Sequence, residues 1–194
     1  MSKNPSADVN SFGGNWNDAK CFQWELDNGI SLENEGFVNL YNATAKSINE
    51  LIPFTKFTDL GGGVGAYSKA MRELGKEVHY YDGNIHHHEY TSERRAANRY
   101  YYGDFTKMKI QGDLVAMIEV AEHIHDSELL PFLNAVECNY FHFSSTPHKN
   151  TMDSDWGHIN MKLEHEWIAL FELCGFELLQ KVQLPTMWSL LFKK

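Results

Sequence analysis

Residues Phe57-Thr58-Asp59-Leu60-Gly61-Gly62-Gly63-Val64-Gly65 form an apolar strand that runs into a loop with four glycines. This segment restricts the fold more than any other. Glycines let the backbone adopt left-handed conformations and approach a ligand closely. An acidic residue at the strand end ahead of them suits an adenosine-bearing ligand at the edge of an α/β sheet. The dinucleotide fingerprint G-x-G-x-x-G has two possible frames here. Gly63-x-Gly65 is followed by Ala66, Tyr67 and Ser68 and fails. Gly61-x-Gly63 is followed by Val64, Gly65 and Ala66 and passes only if alanine replaces the third glycine. A tight strand-to-helix turn with no ligand is the plain alternative, so the rest of the chain has to decide.

The 194 residues suit one domain, and 43% apolar content with well-spread aromatics excludes wholesale disorder. No apolar run approaches the ~20 residues of a membrane-spanning helix, so no membrane partner is expected. Met1-Ser2-Lys3-Asn4-Pro5-Ser6 lacks the apolar stretch of a signal peptide. Cys21, Cys138 and Cys174 lie far apart without CxxC spacing, and Cys138 and Cys174, in apolar helical contexts, read as buried free thiols. The expectation is a cytoplasmic protein, with no sequence signal for its oligomeric state. A formal charge of −9 argues against broad nucleic-acid binding by phosphate neutralisation. Arg94, Arg95 and Arg99, and the pair Lys193-Lys194, read as a solvated helix face and a polar tail.

Strand and helix patterns alternate. A helix is expected over Ala66 to Leu74, closed by Gly75. A strand over Glu77 to Tyr81 then leads into Asp82-Gly83-Asn84. A further helix is expected near Ser92 to Tyr100, and a turn at Gly103-Asp104-Phe105. Leu114 to Val120 reads as a buried parallel strand. A helix from Asp126, a strand over Tyr140 to Ser144 and an amphipathic helix over Lys162 to Cys174 follow. Phe176 to Leu184 and Met187 to Phe192 read as two closing strands, the last inserted antiparallel to its neighbours. Such alternation predicts a mostly parallel sheet covered on both faces. Residues 1–50 stand outside it as an N-terminal extension, with a helical cap or lid from Phe22 to Leu26 and Glu35 to Ile52. Residues 51–194 form the ligand-binding domain.

Several segments, in order, resemble one family. They are Asp59-x-Gly61-x-Gly63-x-Gly65; Asp82, 17 residues beyond Gly65; Gly103-Asp104-Phe105; and the run from Gly112-Asp113 through Glu119-Val120-Ala121-Glu122-His123-Ile124. Ser145-Thr146-Pro147, Trp156-Gly157-His158-Ile159-Asn160 and Cys174-Gly175-Phe176 complete the series. Together they resemble class I S-adenosylmethionine (SAM)-dependent methyltransferases. The resemblance covers roughly three quarters of the chain, from about Phe57 onward. It implies a Rossmann-like three-layer α/β/α sandwich with a seven-stranded sheet and an antiparallel C-terminal hairpin strand. The implied cofactor contacts are Asp59, Gly61, Gly62, Gly63, Gly65, Asp82, Gly83, Asp104, Phe105 and Glu119. A carboxylate at Asp82 can accept from both ribose hydroxyls. Asp104 would accept from the adenine amino group and Phe105 would stack on the ring.

The family's reaction transfers the SAM methyl group to an oxygen or nitrogen acceptor and leaves S-adenosylhomocysteine (SAH). A small-molecule acceptor is the first expectation. Glu119, Glu122, His123 and His158 are the candidate catalytic residues at the strand ends, with His125 nearby. The same four suit a divalent cation, Mg²⁺ or Mn²⁺, that would polarise an acceptor hydroxyl. That arrangement is similar to metal-assisted O-methyltransferases, including those that methylate the 2′-hydroxyl at an RNA 3′ end. The motif also occurs in relatives without a metal, where the Glu lines the substrate pocket and the His fixes the adjoining helix. A SAM-binding sensor or scaffold that transfers nothing is the non-enzymatic alternative. His86-His87-His88 reads as a polar loop beside the adenosine pocket, because consecutive residues on an extended segment do not converge. Tyr100-Tyr101-Tyr102 reads as a strand. Trp16, Phe22 and Trp24 suit either a substrate lid or ordinary packing anchors.

Overall fold

A computed structural model describes residues 19–145, 158–186 and 188–194. Seven helices are found among them: α1 (Ala19–Asp27), α2 (Glu35–Leu51), α3 (Ala66–Glu73), α4 (Ile85–Tyr90), α5 (Glu93–Ala96), α6 (Asp126–Ala135) and α7 (Glu164–Leu173). They surround strands β1 (Lys56–Leu60), β2 (Glu77–Asp82), β3 (Arg99–Tyr102), β4 (Gln111–Ile118), β5 (Glu137–Ser144), β6 (Glu177–Val182) and β7 (Ser189–Lys193). The strand order is β3-β2-β1-β4-β5-β7-β6. The first five strands are parallel, and β7 runs antiparallel to both β5 and β6. The expected insertion of the last strand is therefore present.

Sheet alternation sorts the core. Leu114 and Ala116 of β4 join Phe57 and Val78 under α2 and α3, together with Ile48, Tyr67 and Met71. Val115 and Met117 face the opposite layer, with Phe141, Phe143, Trp167, Phe171 and Phe192. A strand covered on both faces has no polar side to show, which is why β4 reads as an unbroken apolar run. Asp113, at the start of that run, fastens the base of β1 by accepting from Thr55 N and Lys56 N, both at 2.9 Å. Cys138 is half-buried and Cys174 buried, and both are free thiols; burial pushes Cys138 up to about 12.

Three expectations change. The helix near Ser92 stops at Ala96, and Arg99 already belongs to β3. Asn98 Oδ1 accepts from Val78 N, and the rings of Tyr100 and Tyr101 stack on Tyr80 and Tyr81 at 4.8 and 4.4 Å. Cross-strand aromatic packing thus overrides local helix propensity. The fourth strand ends at Ile118, because Glu119 adopts a left-handed φ of 56°. The three histidines lie on α4 rather than on an extended loop, because Asn84 caps that helix by accepting from His86 N at 2.8 Å.

Candidate functional site

The parallel strands β1, β2, β4 and β5 end together, and the expected residues gather at those ends. Between β1 and β4 the order of connections reverses, the place where open α/β sheets leave a crevice. The glycine loop crosses it under tight constraint. A Cβ on Gly62 would lie 2.4 Å from the Tyr80 ring, and one on Gly61 2.6 Å from Val120. Gly63 differs. At φ +56° its added Cβ would meet His87 Cε1 at 3.9 Å and Gly61 O at 4.0 Å, ordinary van der Waals contacts, so the centre of the loop is an uncrowded cradle with room for a small group.

Asp82 lies directly against this cradle. Its Oδ2 accepts from Gly63 N at 2.8 Å and its Oδ1 from Asn84 N at 2.7 Å. His87 Nδ1 is 3.3 Å from Oδ1. Burial would push the Asp82 carboxyl up, but the His87 charge and the two backbone donors outweigh it and hold the carboxyl below its ordinary range. Asp59 has no comparable cation. Burial raises it to about 7, the charges of Glu93 and Asp82 adding to the shift while the hydrogen bond from Ser68 Oγ at 2.7 Å opposes it. Asp59 thus ties β1 to α3 beneath the loop. Gly65 closes the loop at φ +88° as the residue before α3, and Gly83 follows Asp82 at the end of β2.

The Asp104 and Phe105 pair divides. Asp104 is half-buried and accepts from Thr106 N and Oγ1 at 2.9 and 2.6 Å. The Phe105 ring is fully buried in the core against Phe132.

A second group of side chains sits at the ends of β4 and β5. Ser144 Oγ donates to Glu119 Oε1 at 2.5 Å, and Ser145 Oγ donates to Glu122 Oε2 at 2.8 Å. Glu122 is fully buried, and its backbone oxygen accepts from Ile159 N and Asn160 N. These bonds bring His158 over the short helical turn that carries Glu122 and His123. Ligand atoms of Glu122, His123 and His158 lie within 4.8 Å of one another. The two imidazoles meet edge to face at 4.9 Å between ring centres. Glu122 Oε1 is buried with no hydrogen-bond donor among the described residues. Burial first, then the charge of Glu119, push the Glu122 carboxyl well above the usual carboxylate range. Glu119 stands beside this trio on its left-handed turn, a conformation that costs a non-glycine residue energy and is concentrated at functional sites. His125 is exposed and precedes α6.

Sequence reasoning missed two residues that pack around Asp82. His87 was visible as part of a polar run, and Asn84 as a helix cap would have turned it back toward Asp82. Glu25 of α1 bonds His87 across 62 residues of chain, a distance that no local pattern spans. Thr146, Pro147, Trp156, Gly157, Trp16 and Met187 lie outside the described residues.

No family model matches the chain, and no curated protein matches it in sequence. Solved structures do match in shape. One is magnesium protoporphyrin IX methyltransferase (ChlM) from Synechocystis PCC 6803 with bound SAH, at 14% identity, 92% coverage of this chain, 94% of that one and a TM-score of 0.64. Another is the pyocyanin biosynthetic protein PhzM, at 16% identity and 95% coverage of this chain, with a TM-score of 0.63. The chain spans 62% of PhzM and 58% of the calicheamicin biosynthesis methyltransferase CalO1. A third is the methyltransferase domain of bacterial CtHen1, at 16% identity, 80% coverage of this chain, 98% of that one and a TM-score of 0.60. At these identities the likeness is one of architecture: the chain has the fold of the class I SAM-dependent methyltransferases.

Proposed function

We propose that this chain is a SAM-dependent methyltransferase that methylates an oxygen or nitrogen of a small molecule and releases SAH. The observation that carries the reading is the uncrowded cradle at Gly63 with an ionised, buried Asp82 against it. When bound, SAM supplies an electrophilic methyl carbon on its sulfonium. The protein's work is then to bind and align. Gly61, Gly62, Gly63 and Gly65 bring backbone against the cofactor, and Asp82 accepts the ribose hydroxyls. Gly83, Asp104 and Phe105 flank the adenine end, where Asp104 supplies the acceptor oxygen and Phe105 the packing beneath it. Asp59 fixes the loop, and Glu119 lies where β4 meets the cofactor. Glu122, kept neutral by burial, donates a hydrogen bond, while the imidazoles of His123 and His158 take a proton from an acceptor that must lose one.

Calorimetric titration with SAM and SAH, with NAD as control, tests the cofactor. Micromolar binding of both and none of NAD is the expected result; no binding of either removes the reading. SAH release in the presence of candidate acceptors separates an enzyme from a sensor or scaffold that binds SAM alone.

A second reading is favoured by one feature, the convergence of Glu122, His123 and His158 with an orphaned Glu122 oxygen. One carboxylate and two imidazoles fit Mn²⁺ or a related divalent ion better than the all-oxygen set that Mg²⁺ prefers. A cation there would reverse the effect of burial and ionise Glu122. Glu119 would complete the set from its adjacent turn. Such a site would suit methylation of a 2′-hydroxyl at an RNA end. Mn²⁺ should then raise the melting temperature of the wild-type protein, and Glu122→Gln should abolish the increase while leaving SAH affinity within about twofold, because it spares the charge-assisted contacts at Asp82. A cation-independent melting temperature would leave the metal-free reading alone.

A further inference from the structure

The cradle over Gly63 has a wall that the N-terminal helix supplies. His87 is the side chain that a Cβ on Gly63 would touch, at 3.9 Å, and it also contacts Asp82 Oδ1 through Nδ1 at 3.3 Å. Its other nitrogen, Nε2, is 2.6 Å from Glu25 Oε2 on α1. All three residues are buried, with 9% or less of their surface exposed. Both partners of the ring are carboxylates, which only accept, so both ring nitrogens donate and His87 is an imidazolium. Phe22, one turn earlier on the same face of α1, lies on His86 at 5.9 Å and on Tyr90 at 5.4 Å between ring centres. Tyr90 in turn donates to Glu33 and accepts from Leu32 N at 3.1 Å, fastening the segment that follows α1. Apolar contacts therefore dock α1 onto α4, and Glu25, a buried carboxylate on α1, is aimed at His87 beside the cradle.

This arrangement decides how Asp82 presents itself. Oδ1 holds two donors, Asn84 N and His87, while Oδ2 holds only Gly63 N. An ionised carboxylate has room for about two donors on each oxygen. The space left lies on Oδ2, the oxygen beside the glycine loop. Without His87 the carboxylate would lose the cation that balances its buried charge and the second donor on Oδ1, although Gly63 N and Asn84 N would still hold its rotation. Without Glu25 the imidazolium would stand between the cradle and an apolar helix with half of its hydrogen bonding missing.

We infer that Glu25 and His87 are positioning residues of the cofactor site: His87 fills Oδ1 and balances the charge of the Asp82 carboxylate, leaving Oδ2 for the ribose hydroxyls, and Glu25 holds His87 there. The inference rests on the methyltransferase reading. It makes α1 the outer wall of the nucleoside pocket rather than a cover for the acceptor, and it assigns ribose recognition to three residues on three elements.

The test compares SAH with its 2′,3′-dideoxy analogue on the full chain. The wild type, Glu25→Gln and His87→Gln are titrated with each ligand by calorimetry. Both substitutions keep approximate shape and remove charge. The expected result is a loss of about 10- to 150-fold in SAH affinity, the range of one charge-assisted hydrogen bond, with the dideoxy analogue changed by less than about twofold because it makes no ribose-hydroxyl contact to lose. Equal losses for both ligands would overturn the inference, since α1 would then be simple packing. Unchanged SAH affinity in both variants would overturn it as well. If His87→Gln does not fold, Glu25→Gln alone decides by the same comparison. A wild type that binds neither ligand removes the methyltransferase reading itself, a result distinct from wild-type binding with no ribose-dependent effect.

Discussion

Asp82 is the residue on which the proposed cofactor site turns. Gly63 N, Asn84 N and His87 all point at its carboxylate. Replacing it leaves these donors facing each other and, on the proposed reading, takes away the acceptor for the ribose. Asp82→Ala should therefore weaken SAH binding by more than ~1 kcal/mol, read by calorimetry at constant salt; an unchanged affinity would remove its ribose role. Asp59 and Asp82 look alike in sequence, as acids at the ends of adjacent strands. They differ in what lies next to them. Asp82 has an imidazolium and stays ionised, whereas Asp59 has the Ser68 hydroxyl and is pushed to about 7. Near neutral pH one is an anion available to a ligand and the other is half protonated, a strut under the loop.

Among the elements, β5 carries a buried histidine with no part in the cofactor site. Tyr67 Oη is 2.9 Å from His142 Nδ1, His142 Nε2 is 2.8 Å from Ser189 Oγ, and Ser189 Oγ donates to Leu184 O at 2.7 Å. Ser189 has spent its proton on Leu184, so Nε2 donates and Nδ1 accepts from Tyr67: the ring is neutral. Burial lowers His142 from 6.5 to about 3. The unfolded chain then takes up a proton first as pH falls, so the stability tied to the neutral ring is complete above about 6.5 and is lost progressively toward 3. His142→Gln should cost stability at pH 7, and its deficit relative to wild type should narrow by about 2 kcal/mol between pH 7 and 5, measured by urea unfolding at each pH. A constant deficit would mean that the ring takes up its proton alike in the folded and unfolded chain, and a widening one that it is charged in the fold. This relay was not legible in the sequence, because its members come from α3, β5 and the start of β7. What was legible had a local cause: apolar runs for β1, β4 and β5, glycines for the loop, and an ordered series of short motifs along one sheet edge. The reading of Ser92 to Tyr100 failed where stacking on Tyr80 and Tyr81 drew the chain into β3, and Glu25 stayed hidden because its partner is 62 residues away.

For the molecule as a whole, a ligand that binds only the folded chain must raise its stability. SAH at about one hundred times its dissociation constant should add ~2.7 kcal/mol. For a chain of this size that is a rise in melting temperature of roughly 5–10 °C, and NAD at equal concentration should give none. No helix among the described residues is long and apolar enough to cross a membrane, and with a charge of −9 an RNA substrate would have to be gripped locally rather than drawn in by the overall field. The sheet order has a further effect during synthesis. β6 reaches the sheet only through β7, and β7 is made after it. Until residues 189–193 leave the ribosome, the outer side of β5 is an open edge and β6 has no partner. The five parallel strands can assemble earlier, so the nascent chain passes through a stage with the cofactor end formed and a sticky flank, the stage at which a chaperone or a misplaced second chain would compete for β5.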